Sequence, residues 1–256
     1  MKQNREFVKA ETDMDPVEKG AIGATAGWKG LNRMAALAIL VPLGVLVFDI
    51  WASLVYGAAP TGQRPVAEWF ALFRHNPVLG LQGLSFPQLI STLCGLPLTV
   101  ALFGALRHRN PGFAGLGLVL GLVGAVLFLD ASAALPIWAL SGRWQLAASE
   151  AERNALIAAG EAILARAADF TPAGFLCFFL PSLSGMIFAG LMARVAGFGP
   201  GLAGLGLGGY GIMAVFTVGA CFVPGAFAAL LPLCIGGGLA LMVWQVWLAF
   251  RLWRRY

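Results

Sequence analysis

Residues 111–144 read PGFAGLGLVLGLVGAVLFLDASAALPIWALSGRW, and this glycine-rich apolar stretch decides the fold. From Gly112 to Leu129 no residue carries a charge, and an uncharged run of that length is typical of a helix that crosses a membrane. Gly117, Gly121 and Gly124 recur at helical spacing, so they line one face along which a neighbouring backbone can approach closely. The stretch therefore predicts a transmembrane helix that packs against another helix through its glycines.

The composition of the whole chain is that of a protein built in a bilayer. Hydrophobic residues make up 59% of the 256 residues and charged residues only 11%, whereas a soluble domain carries roughly 25% charged residues. The net charge of +5 does not indicate a nucleic-acid partner, because Lys and Arg lie at the ends of apolar runs and form no basic face. The four cysteines lie within apolar segments without metal-ligand spacing, so no metal site is predicted.

Six apolar segments are long enough to span a membrane, and we expect an all-α, polytopic bundle of six transmembrane helices. The six predicted spans cover approximately residues 31–56, 86–106, 112–138, 172–194, 201–222 and 227–250. Two further segments, 64–74 and 149–167, have apolar residues at helical spacing beside polar ones, which predicts short helices on the membrane surface. The chain is thus expected to consist of a polar segment, 1–30, and one transmembrane domain, 31–256.

The distribution of basic residues predicts how the bundle is oriented. Twelve of the 17 Lys and Arg residues fall in the two chain ends and in the loops after the second and fourth spans, and five fall on the other side. Because Lys and Arg are retained in cytoplasmic loops, both termini are predicted to be cytoplasmic and the two surface helices extracytoplasmic.

An internal repeat relates the third and fifth predicted spans. PGFAGLGL at 111–118 recurs as PGLAGLGL at 200–207, which suggests duplication, although Gly, Leu and Ala are common enough here to match by chance. The fifth span also carries Gly204, Gly208 and Gly211 at the spacing of the glycines in the third. We expect these three residues to form a second helix-packing face.

Two acids, Asp49 and Asp130, fall inside predicted spans. A charge at the bilayer centre costs about 2.5–3.5 kcal/mol, so an acid kept there invites a functional interpretation. Each lies about 10–12 Å along its helix from an aromatic anchor, Tyr56 or Trp138, so the two carboxylates could meet in the outer half of the bundle and hold a proton or a cation. The alternative is a structural role, in which each acid bonds a hydroxyl such as that of Ser132 or a helix end.

The sequence contains no arrangement that indicates catalysis, and we expect the protein not to be an enzyme. It shows no Ser–His–Asp set, no Cys–His nucleophile and no phosphate-binding loop. His75 and His108 are predicted to lie on opposite sides of the membrane, so they cannot share a metal, although one imidazole would suffice to ligate a haem or chlorophyll held by another subunit. No cofactor is predicted, and the apolar bundle leaves room for a bound lipid or pigment.

Several segments after residue 86 have the order and loop style of a known family. They read ALRHRNPGFAGLGLVLGLVGAVLFL, LPIWALSG, EAERNALIAAGEAILA and LSGMIFAGLMARVAGFGPGLAGLGLGGYG. Over about residues 86–250 the chain resembles the DUF4386 type, a bacterial family of six-span integral membrane proteins of unknown function. The resemblance implies a helical bundle in the bacterial inner membrane and supplies no catalytic residues. The charged segment 1–30 departs from the family pattern, which suggests an added docking function.

Two functions follow from these patterns. The first is a non-catalytic accessory or scaffold subunit of a larger membrane complex, with an energy-transducing assembly as one setting. Such a subunit would contact the lipid bilayer and other membrane subunits through the segment 1–30 and the glycine faces. The second is a small transporter or sensor that uses Asp49 and Asp130. The sequence favours the first, because glycine faces occur on two spans and no reactive set of residues is present.

Overall fold

The computed structural model is all-helical in the residues that it describes, which are 28, 30–56, 64–168, 171–172, 174–195 and 198–254. Residues 30–38 are helical, and ten helices follow: α1 Leu40–Tyr56, α2 Val66–His75, α3 Pro77–Gly83, α4 Phe86–Leu106, α5 Pro111–Ala131, α6 Ala134–Leu146, α7 Glu150–Arg166, α8 Phe175–Met192, α9 Pro200–Phe222 and α10 Ala226–Arg254. The predicted all-α fold is confirmed for this part of the chain. The predicted polar segment 1–30 lies outside the described residues except for Trp28 and Gly30.

Among the described residues, five segments are long and apolar enough to cross a membrane, judged by length and composition: α4, α8, α9, α10 and Pro111–Leu146. The helices of these segments turn large apolar side chains outward, as Val126, Val215 and Leu239 do, which suits contact with lipid tails. These are the features of a multi-pass integral membrane protein.

The first predicted span, 31–56, is helical with one interruption. A turn at Ile39 separates residues 30–38 from α1, and the apolar helical segment Gly30–Val45 is shorter than the five spans. Pro42 accounts for the interruption, because it has no N–H to donate to the carbonyl of Ala38. The first helical region is therefore the candidate for a sixth span.

The helix of the third predicted span is interrupted in the structure. α5 ends at Ala131 and α6 begins at Ala134, whereas the sequence predicted one span over 112–138. Ser132 between them has extended backbone, with φ −62° and ψ 125°. Proline has no backbone N–H, so in one continuous helix Pro136 would leave the carbonyl of Ser132 without its hydrogen bond. In the first turn of α6 no such bond is expected, because the first N–H groups of a helix have no helical partner. The chain therefore turns at 132–133.

A cap of four short helices, α2, α3, α6 and α7, forms at one end of the bundle, where the sequence predicted two separate surface helices. The apolar face of α2 was expected to rest on the membrane. Instead the buried residues of α2, which are Val66, Trp69, Phe70 and Phe73, are at most 3% exposed and pack against α6. Together with Leu84, Ala133, Ala134 and Ile137 they form a separate hydrophobic core. The apolar pattern of residues 64–74 thus correctly predicts a helix, but other helices of the cap cover its apolar face.

Polar and backbone contacts hold α7 in the cap. Glu161 Oε1 accepts a hydrogen bond from the backbone N–H of Val66 at 3.2 Å. Gly160 lies so close to α2 that a Cβ there would stand 2.6 Å from Cγ1 of Val66. The Ser149 hydroxyl accepts from the N–H of Glu152 at 3.2 Å and caps the start of the helix.

The bundle helices contact one another in the order α1, α4, α5, α8, α9 and α10. Their shared core lies at the end away from the cap and includes Leu102, Phe188, Leu202, Trp244 and Leu248. The protein therefore has two hydrophobic cores, one in the cap and one at the far end of the bundle.

The close contact at Gly160 yields a test of the cap. Gly160→Ala is expected to lower the free energy of unfolding by about 1–3 kcal/mol, because the added Cβ overlaps Val66. Gly142→Ala is the matched control, since a Cβ at Gly142 has no neighbouring atom within 4 Å. Thermal unfolding in detergent and limited proteolysis of the cap measure both variants. Equal stability of the two variants would contradict the packing of α7 on α2.

Candidate functional site

Asp130 lies in the last turn of α5, at the junction between the bundle and the cap. Its carboxylate accepts a hydrogen bond from the guanidinium of Arg166, the last residue of α7, and the two form an ion pair. The side chain of Asp130 is 62% exposed and that of Arg166 is 60% exposed. The pair thus lies on the surface of the protein and joins one cap helix to one bundle helix.

The predicted pairing of Asp130 with Asp49 stays a prediction. Asp49 falls within α1, but its side chain lies outside the described residues. The sequence alone does not indicate Arg166 as the partner of Asp130, because 36 residues separate the two. The turn at 132–133 and the fold of the cap bring them together. The available signal was a basic residue in the last turn of an amphipathic helix, where a cation suits the helix dipole.

The glycines of α5 lie against α8. A Cβ at Gly117 would stand 3.1 Å from Cζ of Phe188, and a Cβ at Gly124 would stand 2.5 Å from Cδ of Pro181. Gly121 faces Ser184, whose Oγ would be 2.9 Å from an added Cβ. The absence of side chains at these positions allows the two helix backbones to approach closely.

One buried hydrogen bond crosses this contact. The Ser184 hydroxyl donates to the backbone carbonyl of Gly117 at 2.6 Å. Both groups are buried, and a hydroxyl in an apolar environment needs a partner, so the bond fixes the two helices along their axes as well as holding them together.

The glycine face predicted on α9 does not contact another described helix of this chain, and its role in helix packing stays a prediction. A Cβ at Gly204, Gly208 or Gly211 would have no neighbouring atom within 4 Å, so these residues do not pack against another described helix. Other glycines of α9 do pack: a Cβ at Gly206 would stand 2.5 Å from Nε1 of Trp244, and Gly209 faces Leu241 on α10.

The internal repeat indicates which glycines of α9 are packed, which helical spacing alone does not. When PGFAGLGL at 111–118 is aligned with PGLAGLGL at 200–207, Gly117 corresponds to Gly206 and both are packed, whereas Gly115 corresponds to Gly204 and both are open. Pro111 and Pro200 occupy the first position of α5 and α9. The aligned glycines thus agree in packing at these two positions.

The histidines lie on exposed surfaces far apart along the bundle. His75 ends α2 in the cap, and His108 lies in the turn after α4 at the opposite end. Among the residues that the structure describes, no group of three or more His, Cys, Asp and Glu side chains could hold a metal ion.

The exposure of the ion pair predicts a small energetic effect. Asp130→Asn and Arg166→Gln are each expected to lower the free energy of unfolding by at most about 1 kcal/mol, because water screens an exposed pair. The double variant should lose no more than the two single variants together. Denaturant unfolding in detergent measures all three. A loss of several kcal/mol from Asp130→Asn alone would argue against a solvent-exposed carboxylate.

Comparisons with protein families, with curated proteins and with solved structures found no match to this chain, so its resemblance to the DUF4386 type stays a prediction.

Proposed function

We propose that this integral membrane protein is a non-catalytic accessory or scaffold subunit of a larger complex in the bacterial inner membrane. The observation that carries the proposal is the open row of Gly204, Gly208 and Gly211 on the outer face of α9. A row of glycines leaves helix backbone uncovered over about two turns. In lipid, where no hydrophobic force drives helices together, such a row is a surface against which another helix packs well.

The spacing of this row supports a transmembrane helix as the occupant. Gly117, Gly121 and Gly124 have the same spacing on α5, and there they receive α8. The exposed face of α9 continues beyond the glycines with Val215 and Val218, which are apolar and large enough to pack beside a partner helix. The expected partner is a spanning helix of another subunit.

The polar segment 1–30 offers a second contact in this proposal. It carries five basic and five acidic residues before Gly30, a composition that cannot enter the bilayer. With both termini cytoplasmic, it would reach a soluble or peripheral part of the same complex from the cytoplasmic side.

The alternative function, a small transporter or sensor that uses Asp49 and Asp130, has less support. Asp130 is paired with Arg166 on the protein surface, and an exposed ion pair at the membrane edge is an ordinary structural contact. We therefore keep the accessory role as the proposal.

Native purification tests the proposed partner face. Tagged full-length chain, extracted in mild detergent from the cells that make it, is expected to retain another membrane subunit. Gly208→Leu should reduce that subunit about tenfold or more, because the leucine fills the space that the partner backbone occupies. Quantitative mass spectrometry gives the stoichiometry, and an absorption spectrum of the same sample detects pigment.

Gly115→Leu is the matched control for this purification. It adds the same side chain at an open helix position that belongs to no glycine row, so it should leave the partner bound. Retention of the partner by both variants would exclude the glycine face of α9 as the contact. A wild-type chain that purifies alone as a monomer would overturn the accessory role, and loss of self-association only would indicate a second copy of this chain.

The proposed orientation predicts which surfaces a membrane-impermeant thiol reagent reaches. In a variant that lacks the four native cysteines, Leu146→Cys in the cap should react in intact spheroplasts, since Leu146 is 86% exposed. His108→Cys, at the opposite end, should react only after the membrane is permeabilised. The reverse pattern would place both termini outside and would overturn the orientation drawn from the basic residues.

A further inference from the structure

A cavity of about 300 Å³ lies between α4, α5 and α8, with Tyr210 and Trp244 closing it towards α9 and α10. It extends from Gln88 at the cap end of α4 to Leu102, Phe188 and Trp244 of the far core. Gly95, Gly121 and Gly124 are among its lining residues. Gly95 projects nothing into the cavity, and a Cβ there would have no other atom within 4 Å.

The cavity is elongated along the helix axes. Along α4 its lining runs from Gln88 to Leu102, which is about 21 Å at 1.5 Å per residue. Along α8 the lining runs from Cys177 to Phe188, in the same direction and over a somewhat shorter length. A lining that extends this far along two helices matches an extended hydrocarbon chain in length.

The chemistry of the lining agrees with a hydrocarbon chain. None of the described residues that line the cavity carries a charge. The hydroxyls of Thr92 and Thr99 donate to carbonyls of their own helix, and that of Ser184 donates to Gly117, so these hydroxyl protons already have acceptors. Gln245, Tyr210 and Trp244 add polar atoms where the cavity meets α9 and α10, but most of the lining is apolar, which favours an apolar occupant.

One end of the cavity is polar. Gln88 is exposed at the start of α4, at the end of the bundle that carries the cap. Its amide offers both a donor and an acceptor to a neutral ester. A free carboxylate would find no cationic side chain among the lining residues, so the end suits an esterified chain better than a free fatty acid.

We infer that this cavity binds one acyl chain of a membrane phospholipid, with the chain between α4, α5 and α8 and its ester beside Gln88. The bound chain fills space that the helices leave open, and it makes the lipid an integral part of the bundle. The inference is independent of the proposed accessory role, since it concerns the interior of the bundle.

Photolabelling with a phospholipid that carries a diazirine in the middle of one acyl chain tests the inference. Full-length protein is reconstituted in phosphatidylcholine vesicles that contain a small fraction of this probe. Labelling is expected inside the cavity at Thr99 and Ser184, in addition to Val119 and Val126, which are exposed on the outer face of α5. Gly95→Leu should reduce labelling of Thr99 and Ser184 about tenfold, because the leucine fills the middle of the cavity.

Controls separate binding from changes in folding. Gly115→Leu adds the same side chain outside the cavity and should keep wild-type labelling at every position. Labelling of Val126 should stay constant in all variants, since it reports bulk lipid. If Gly95→Leu does not give a monodisperse protein, Gly95→Met fills the same space with a more flexible side chain.

Two results would overturn the inference. The first is equal labelling of Ser184 in the wild type and in the filled variant, and the second is labelling of Val126 without any labelling of Thr99 or Ser184. A parallel arm uses a diazirine fatty acid without a glycerol ester. Stronger labelling of the cavity by the fatty acid than by the phospholipid would overturn the phospholipid as the source of the chain.

Discussion

The close approach of α5 and α8 is the contact on which the bundle depends. α1 and α4 reach the rest of the protein mainly through α5, and α9 and α10 reach it through α8, so this contact joins two groups of three helices. Gly117 and Gly124 allow the approach, and Ser184 adds a buried hydrogen bond to it. Because lipid tails are as apolar as the side chains themselves, dispersion contacts at short range and such bonds supply the stability.

The two hydrophobic cores divide the protein along its length. The cap core is built from aromatic residues such as Trp69 and Phe70, and the far core from residues such as Phe188 and Trp244. The cavity extends from Gln88 at the cap end to the far core, whose Leu102, Phe188 and Trp244 line it. Open space beside α5 and α8 therefore coexists with the tight packing of these two helices.

Periodicity and length in the sequence were enough to predict the helical class and five apolar segments that are long enough to cross a membrane, because a bilayer sets the length of an apolar helix. They were not enough to choose among the glycines of α9, which has glycines on several faces, so spacing alone selected Gly204, Gly208 and Gly211 over Gly206. The alignment of the internal repeat distinguishes these glycines, because it pairs Gly206 with the packed Gly117 and Gly204 with the open Gly115.

The remaining differences arise from contacts distant in sequence. The partner of Asp130 is set by the position of α7, and α7 is placed by the turn after Ala131. A local pattern cannot report this turn with certainty, since Pro136 is compatible both with a kinked span and with the first turn of a new helix. Local sequence patterns also do not reveal the cap, because its helices bury their apolar faces against one another and are distant in sequence.

The cap also constrains the order in which the protein assembles during synthesis. α2 emerges from the ribosome well before α6, yet its apolar face is buried against Ala134 and Ile137. Until the chain has been made through α6, α3 and Leu84 are the parts of the cap core already made beside Trp69, Phe70 and Phe73, and the membrane interface is the nearest extended apolar phase. The amphipathic pattern of α2 therefore serves two successive stages, a lipid-bound nascent helix first and a buried cap helix afterwards.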